Sequence, residues 1–229
     1  MPGVQSRGGG TVIASATGLT ALNAVNAITV AFWAKARIAS PGDVFRHSST
    51  ANIQRDGYIA GFGSIEWQTR ICGAAASTTS FISQPLARHY DGRWAHYCSV
   101  FDDATNTIWW YRNGSLLGIT TVATDMTSNA SCTTQIAPSG LNGSFTGQLF
   151  DLQVLPDVAV PASDIIRLMR PDQKYPGVKG RWFGLNYRTP AVGGTLWDES
   201  GSGNNLTASA GSDRDCLQGE EPPWRATAA

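Results

Sequence analysis

The residues able to do chemistry in this chain are few, and their spacing excludes most chemistries. Glu occurs only at Glu66, Glu199, Glu220 and Glu221. Glycoside hydrolysis by a carboxylate pair needs two acids facing each other, about 5 Å apart in the retaining geometry. Glu66 stands alone, and Glu220 and Glu221 lie in a Pro-bearing tail. Asp102 and Asp103 are adjacent, so on a strand they would point to opposite sides. They sit in Asp102-Asp103-Ala104-Thr105-Asn106, whose short polar side chains bond back to their own backbone and make a turn. The histidines are His47, His89 and His96. None forms a zinc-type spacing, and no Gly-x-Ser-x-Gly elbow supplies a nucleophile. Cys72, Cys98, Cys132 and Cys216 also lack metal spacing. With no secretory leader at Met1 to Gly10, free thiols are expected rather than two disulfides.

Aromatic residues are the positive lead. In Thr107-Ile108-Trp109-Trp110-Tyr111-Arg112, alternation puts Ile108 and Trp110 on one face and Trp109 and Tyr111 on the other. One face must enter a core. If Ile108 and Trp110 do so, Trp109 and Tyr111 sit side by side outside. They then form a platform for a sugar or a protein partner, or a neighbouring loop or the C-terminal segment covers them. Trp33 is expected in a core, and Trp224 is expected to anchor a tail in a partner's groove.

The elements that must position these residues are strands. Arg93 to Phe101 alternates with period two, with Trp94, His96, Cys98 and Val100 on one face and Ala95, Tyr97, Ser99 and Phe101 on the other. Asn113-Gly114 accepts positive φ at both positions and makes a two-residue hairpin turn. Ser115 to Val122 continues as a third strand of a meander. Thr11 to Ala16 reads as an edge strand and Ile28 to Ile38 as a long alternating one. Val44 to His47, Gly57 to Phe62, Ile65 to Cys72, Thr78 to Ile82, Thr133 to Ile136 and Phe145 to Leu155 follow. Pro161 to Asp164 opens a short helix, since Pro suits the first turn and Asp its N-terminal dipole.

Seventeen basic residues balance seventeen acidic ones. Charged residues make up 15% of the chain, below the usual figure of about 25%. No basic patch interleaves with aromatics, so nucleic acid is not an expected partner. No apolar run of about 20 residues marks a membrane span.

The pattern W-x-H-x-x-x-x-(Y/F)-D, a loop, a strand and Y-x-N-G is carried by Trp94, His96, Phe101, Asp102, Tyr111, Asn113 and Gly114. It resembles the central hairpins of the laminin-G-like, concanavalin A-like lectin/glucanase superfamily. Ala27 to Lys35 resembles that family's "FTVSFWVK" strand. Phe145 to Leu155 with Asp164-Ile165-Ile166 resembles its closing strand and helix. The likeness spans roughly residues 11–170. It implies an all-β, two-sheet antiparallel jelly-roll sandwich with one short helix and extended terminal arms. The implied organisation is an arm over 1–10, the jelly roll over 11–170, strands over 171–210, and a C-terminal arm over 211–229. Gly180 to Leu185 and Leu196 to Thr207 resemble the segment that opens the family's domains. Here it follows the domain, so these strands either close their own sandwich as in a permutation or add to a neighbour's.

Function is not fixed by this likeness. Family glucanases use Glu-x-Asp-x-x-Glu, which is absent, so no enzymatic activity and no catalytic residue are expected. Calcium sites of laminin-G-like domains make Asp198, Asn204 and Asn205 conceivable ligands, with turn formation the competing role; no cofactor is required. The run from Ile165 through Tyr187 resembles tails of such domains in bacteriophage particles. That likeness implies a virion structural protein, a capsid decoration or fibre-like component, assembled in a host cytoplasm. Its implied partners are the major capsid protein and further copies of itself, a trimer by analogy with capsid geometry. The alternative is a carbohydrate-binding module for host-surface glycans, with Trp109 and Tyr111 as its platform.

Overall fold

The computed structural model describes residues 4–6, 14–24, 26–36, 42–49, 57–63, 66–72, 77–83, 91–123, 126–128, 131–138, 145, 147–183 and 193–208. The C-terminal arm, with Trp224 and Cys216, lies outside the described residues, as does His89. The strands are β1 (Val4–Ser6), β2 (Ala14–Thr17), β3 (Ala27–Ala36), β4 (Gly42–Ser49), β5 (Gly57–Phe62), β6 (Glu66–Cys72), β7 (Ser77–Ser83) and β8 (Ala95–Asp102). They continue as β9 (Thr107–Arg112), β10 (Ser115–Thr121), β11 (Cys132–Ile136), β12 (Gly147–Pro156), β13 (Gly180–Trp182), β14 (Thr195–Leu196) and β15 (Leu206–Ala208). A single turn of helix, α1 (Ile165–Leu168), follows a 3-10 turn at Ala162–Asp164. No described helix is long and apolar enough to cross a membrane.

Two antiparallel sheets face each other. One has seven strands in the order β1-β12-β3-β8-β9-β10, with β13 also on β12; the other has eight, β14-β15-β2-β11-β4-β5-β6-β7. Alternation sends Ile28, Val30, Phe32, Tyr97, Phe101, Ile108 and Trp110 from the first sheet into the space between. Phe45, Tyr58, Phe62, Trp67 and Ile71 meet them from the second. Phe62 packs edge-on against Tyr97 at 5.0 Å, and Trp67 does the same at 5.3 Å. Such aromatic pairs contribute about 1 kcal/mol beyond the area they bury. The Trp110 indole N–H reaches across to Thr69 Oγ1 at 3.2 Å, so its one polar atom is satisfied in the core.

The organising meander forms as expected. Asn113 and Gly114 take φ of 49° and 78°, the left-handed pair that a tight hairpin needs. Asp102 and Asp103 are turn residues. Asp102 accepts the Ala104 amide at 3.0 Å, and Asp103 accepts the Met126 amide at 2.9 Å.

One expectation changes, and one alternative left open by the sequence is resolved. The strand at Ala14–Thr17 is internal rather than an edge, because β15 pairs on one side of it and β11 on the other. The residues after 170 add to this chain's own sheets, β13 on β12 and β15 on β2. Trp182 of β13 enters the core and stacks on Phe45 at 6.0 Å, so this late segment ties the two sheets together.

Candidate functional site

The outer face of the seven-stranded sheet carries Trp109 and Tyr111, but it is not open. The segment from Val158 through Val178, including α1, folds over it. Cys98, Val100, Tyr111, Leu155, Val160, Ile165, Leu168 and Val178 form a second apolar cluster there, with Trp109, Val158 and Tyr175 packed against it. Tyr111 is only 5% exposed, and Trp109 is half-buried. The expected side-by-side exposed platform is therefore corrected. An outer face that rich in apolar groups gains more by being covered than by being left in water.

The same segment accounts for His96 and Trp33. The Trp33 indole N–H donates to the Met169 carbonyl at 3.3 Å, and His96 lies edge-on to Trp33 at 5.4 Å. Neither His96 ring nitrogen meets ordinary hydrogen-bond geometry. Burial drives its pKa down to about 3, outweighing the nearby Leu168 carbonyl, which favours the cation. A neutral ring in an apolar pocket is a packing residue. Asp151, at φ 47° in a bulge of β12, receives Arg181 in a two-pronged ion pair at 2.7 and 2.9 Å. Arg181 also donates to the carbonyls of Pro171 and Gln173. Every strong contact of this pair is internal.

The conceivable calcium ligands are also spent internally. Asp198 Oδ1 accepts the amides of Arg181 and Ser200, both at 2.9 Å. Its Oδ2 faces the Asn204 amide at 2.9 Å and the Ser200 hydroxyl at 2.7 Å. Asn205 Oδ1 accepts the Asp198 amide at 2.8 Å. A carboxylate has about four lone-pair sites, and here all face protein donors. This donor set makes a turn and does not fit a cation. No group of three or more His, Cys, Asp or Glu side chains among the described residues could hold a metal.

The outer face of the eight-stranded sheet differs. On β2, Ala14 and Ala16 turn inward, so Ser15 and Thr17 face out. On β11, Ile136 and Thr134 turn inward, leaving Thr133 and Gln135 outside; on β4, Arg46 and Ser48 are outside. Register then aligns two polar rows. Thr207, Ser15, Gln135 and Arg46 are successive cross-strand partners, as are Thr17, Thr133 and Ser48. Arg46 is held by Asp43 at 2.9 Å and reaches Gln135 at 3.4 Å. The buried Ser48 and Thr133 hydroxyls and Arg46 Nε have no hydrogen-bond partner among the described residues. Glu66 lies on this face too, 3.1 Å from the Gln68 amide nitrogen, without a second carboxylate beside it among the described residues. Toward β14 the face opens to solvent: Thr17, Thr195 and Thr207 are exposed.

At that open end stands Trp197, 65% exposed, a residue that the sequence reading did not single out. Its signal was the triplet Thr195-Leu196-Trp197. With Leu196 in the core, Thr195 faces outward on β14, and Trp197, just past the strand's end, is turned to solvent.

A two-sheet antiparallel sandwich with a hydroxyl-lined outer face is a lectin-like jelly roll. The chain belongs to the concanavalin A-like lectin/glucanases superfamily, whose laminin-G-type profile matches residues 7–165. No curated protein sequence matches it. Among solved structures it is similar to the native heptameric SAP-like pentraxin of Limulus polyphemus, with a TM-score of 0.58 and 17% identity over 92% of this chain and 96% of that one. It is also similar to a Bacteroides ovatus protein described as a candidate for carbohydrate binding, with a TM-score of 0.59 and 14% identity. That match covers 89% of this chain but only 54% of the other. A third is the CBM40 of the Ruminococcus gnavus IT-sialidase, solved with alpha2,3 sialyllactose, with a TM-score of 0.50 and 11% identity over 64% of this chain and 84% of that one. At these identities the likeness is one of fold.

Proposed function

We propose that this chain is a non-enzymatic, lectin-like recognition domain that binds carbohydrate. The observation that carries the reading is the pair of cross-strand polar rows on the outer face of the eight-stranded sheet. At the open end of that face Thr17, Thr195 and Thr207 present exposed hydroxyls, and Ser15 and Gln135 continue the polar row inward. Sugars are recognised by such a mixture of donors and acceptors, because each hydroxyl of the ligand can both give and receive a hydrogen bond. Glu66 and Asp43 on that face are separately engaged by Gln68 and Arg46, which argues for binding rather than hydrolysis. The test is retention of the full chain on immobilised oligosaccharides, with release of reducing ends followed in parallel. Retention without release is expected. Turnover would replace this reading with a hydrolase.

A second reading concerns where such a domain works. The run from Ile165 through Tyr187 resembles the tails of laminin-G-like domains in phage particles. The N-terminal strand β1 adds to this chain's own sheet edge at β12; the same strand addition made to a second copy would join subunits. On this reading the chain is a virion structural protein, a trimer that contacts the major capsid protein, and glycan binding serves host attachment. Copy number in purified particles tests it. Hundreds of copies mark a shell or decoration protein and a few mark a fibre; absence removes the virion reading and leaves the recognition domain.

A further inference from the structure

We infer that the ligand subsite is built on Trp197 and that it takes an uncharged sugar without calcium, an inference that rests on the carbohydrate-binding reading above. Trp197 is the largest exposed apolar side chain among the described residues, ahead of Leu116, Ile119 and Ile166 in both size and exposure. Leaving an indole in water costs its burial energy unless something covers it in use. Its surroundings say what that something is. Leu196 pairs with Leu206, and Thr195 pairs with Thr207, so β14, which Trp197 directly follows, is the last strand of the sheet. Thr207 pairs with Ser15, and Ser15 with Gln135. From the ring inward the accessible face thus offers Thr195, Thr207, Ser15, Thr17 and Gln135, none of them charged. Three strand spacings separate β14 from β11, about 14 Å, which matches a short oligosaccharide rather than a protein surface. One flat aromatic face next to neutral hydroxyl and amide groups suits the apolar face and the equatorial hydroxyls of a pyranose.

The turn beside Trp197 removes the metal from the problem. Asp198 would be the natural calcium ligand, yet four protein donors fill its two oxygens. Those bonds hold the turn from Trp197 to Asn205 rigid, and Lys174 caps it by donating to the Ser200 carbonyl. The ring is therefore presented by a preformed turn, so little ordering cost falls on binding.

The experiment uses the full chain on an array of neutral, sialylated and sulfated oligosaccharides, with calcium and again with EDTA. The parent is expected to bind neutral oligosaccharides equally in both. Trp197→Ala is expected to bind about tenfold more weakly or worse, the loss of one anchoring contact. Its melting temperature should be unchanged, because the side chain packs on nothing in the core. Thr207→Val, on the same face, should weaken binding less. Binding that EDTA abolishes, that prefers acidic sugars, or that survives Trp197→Ala intact overturns this subsite and leaves the lectin reading standing. An array on which the parent binds nothing overturns the lectin reading itself.

Discussion

Arg181 does more than its position in a three-residue strand suggests. It is 4% exposed, grips Asp151 twice, and satisfies two carbonyls of the segment that covers the seven-stranded sheet. Burial pushes the Asp151 carboxyl above its ordinary range, and Arg181 and Gln153 pull it back. The pair contributes little net stability when intact, because desolvation offsets attraction, but breaking it leaves a buried charge alone. Arg181→Ala is expected to destabilise the domain by about 3–5 kcal/mol, read as a lower urea midpoint. Arg181→Met with Asp151→Leu should recover much of that loss. A single variant within about 1 kcal/mol of the parent would place the pair among weak surface contacts.

At the scale of elements, the bulge in β4 is fixed from across the sheet. Register slips between Asp43 and Phe45, opposite Gly61 of β5. A Cβ on Gly61 would lie 2.6 Å from the Asp43 Cα and 2.7 Å from the Gly42 carbonyl oxygen. Both are backbone atoms that cannot rotate aside. Gly61→Ala should therefore cost about 1–3 kcal/mol, as overpacking does, and the measurement is again the denaturant midpoint. The bulge also sets Asp43 where it can hold Arg46, so this variant should weaken glycan retention as well as stability. The hairpin at Asn113-Gly114 is the opposite case, an element whose turn type was legible in two residues because only positive φ closes it.

Across the whole molecule, two histidines make stability depend on acidity. His47 sits between Thr134 at 2.8 Å and Asn23 at 3.0 Å, and burial lowers its pKa to about 4. His96 is lowered to about 3. Each is therefore neutral when folded and takes up a proton near its ordinary value of 6.5 when unfolded. Stability is full above that value and falls as pH drops below it, by about 1.4 kcal/mol per unit for each ring. The loss continues until the folded pKa is reached. Between pH 7.5 and 5.5 the two together should remove about 3 kcal/mol, measured by urea unfolding at each pH. His96→Phe should halve the loss. Stability that is flat across this window would mean that both rings are already solvated.

The sequence by itself determined most of the strands and the two-sheet sandwich, because alternation and turn residues are local properties of the chain. It also limited Asp102 and Asp103 to a turn, whereas Asp198 stood between a turn and a calcium ligand until its hydrogen bonds were seen. The tertiary structure decided which faces meet water. Trp109 and Tyr111 share a face as their period requires, yet residues 158–178 return to cover it, a contact between segments nearly fifty residues apart. Trp197 stays open because it directly follows β14, which ends its sheet with nothing described beyond it. The late strands β13 to β15 pair with β12 and β2 of the same chain, a choice between self and neighbour that no local pattern encodes. Exposure depends on the whole packing arrangement, and that is why the core was readable from residues and the site was not.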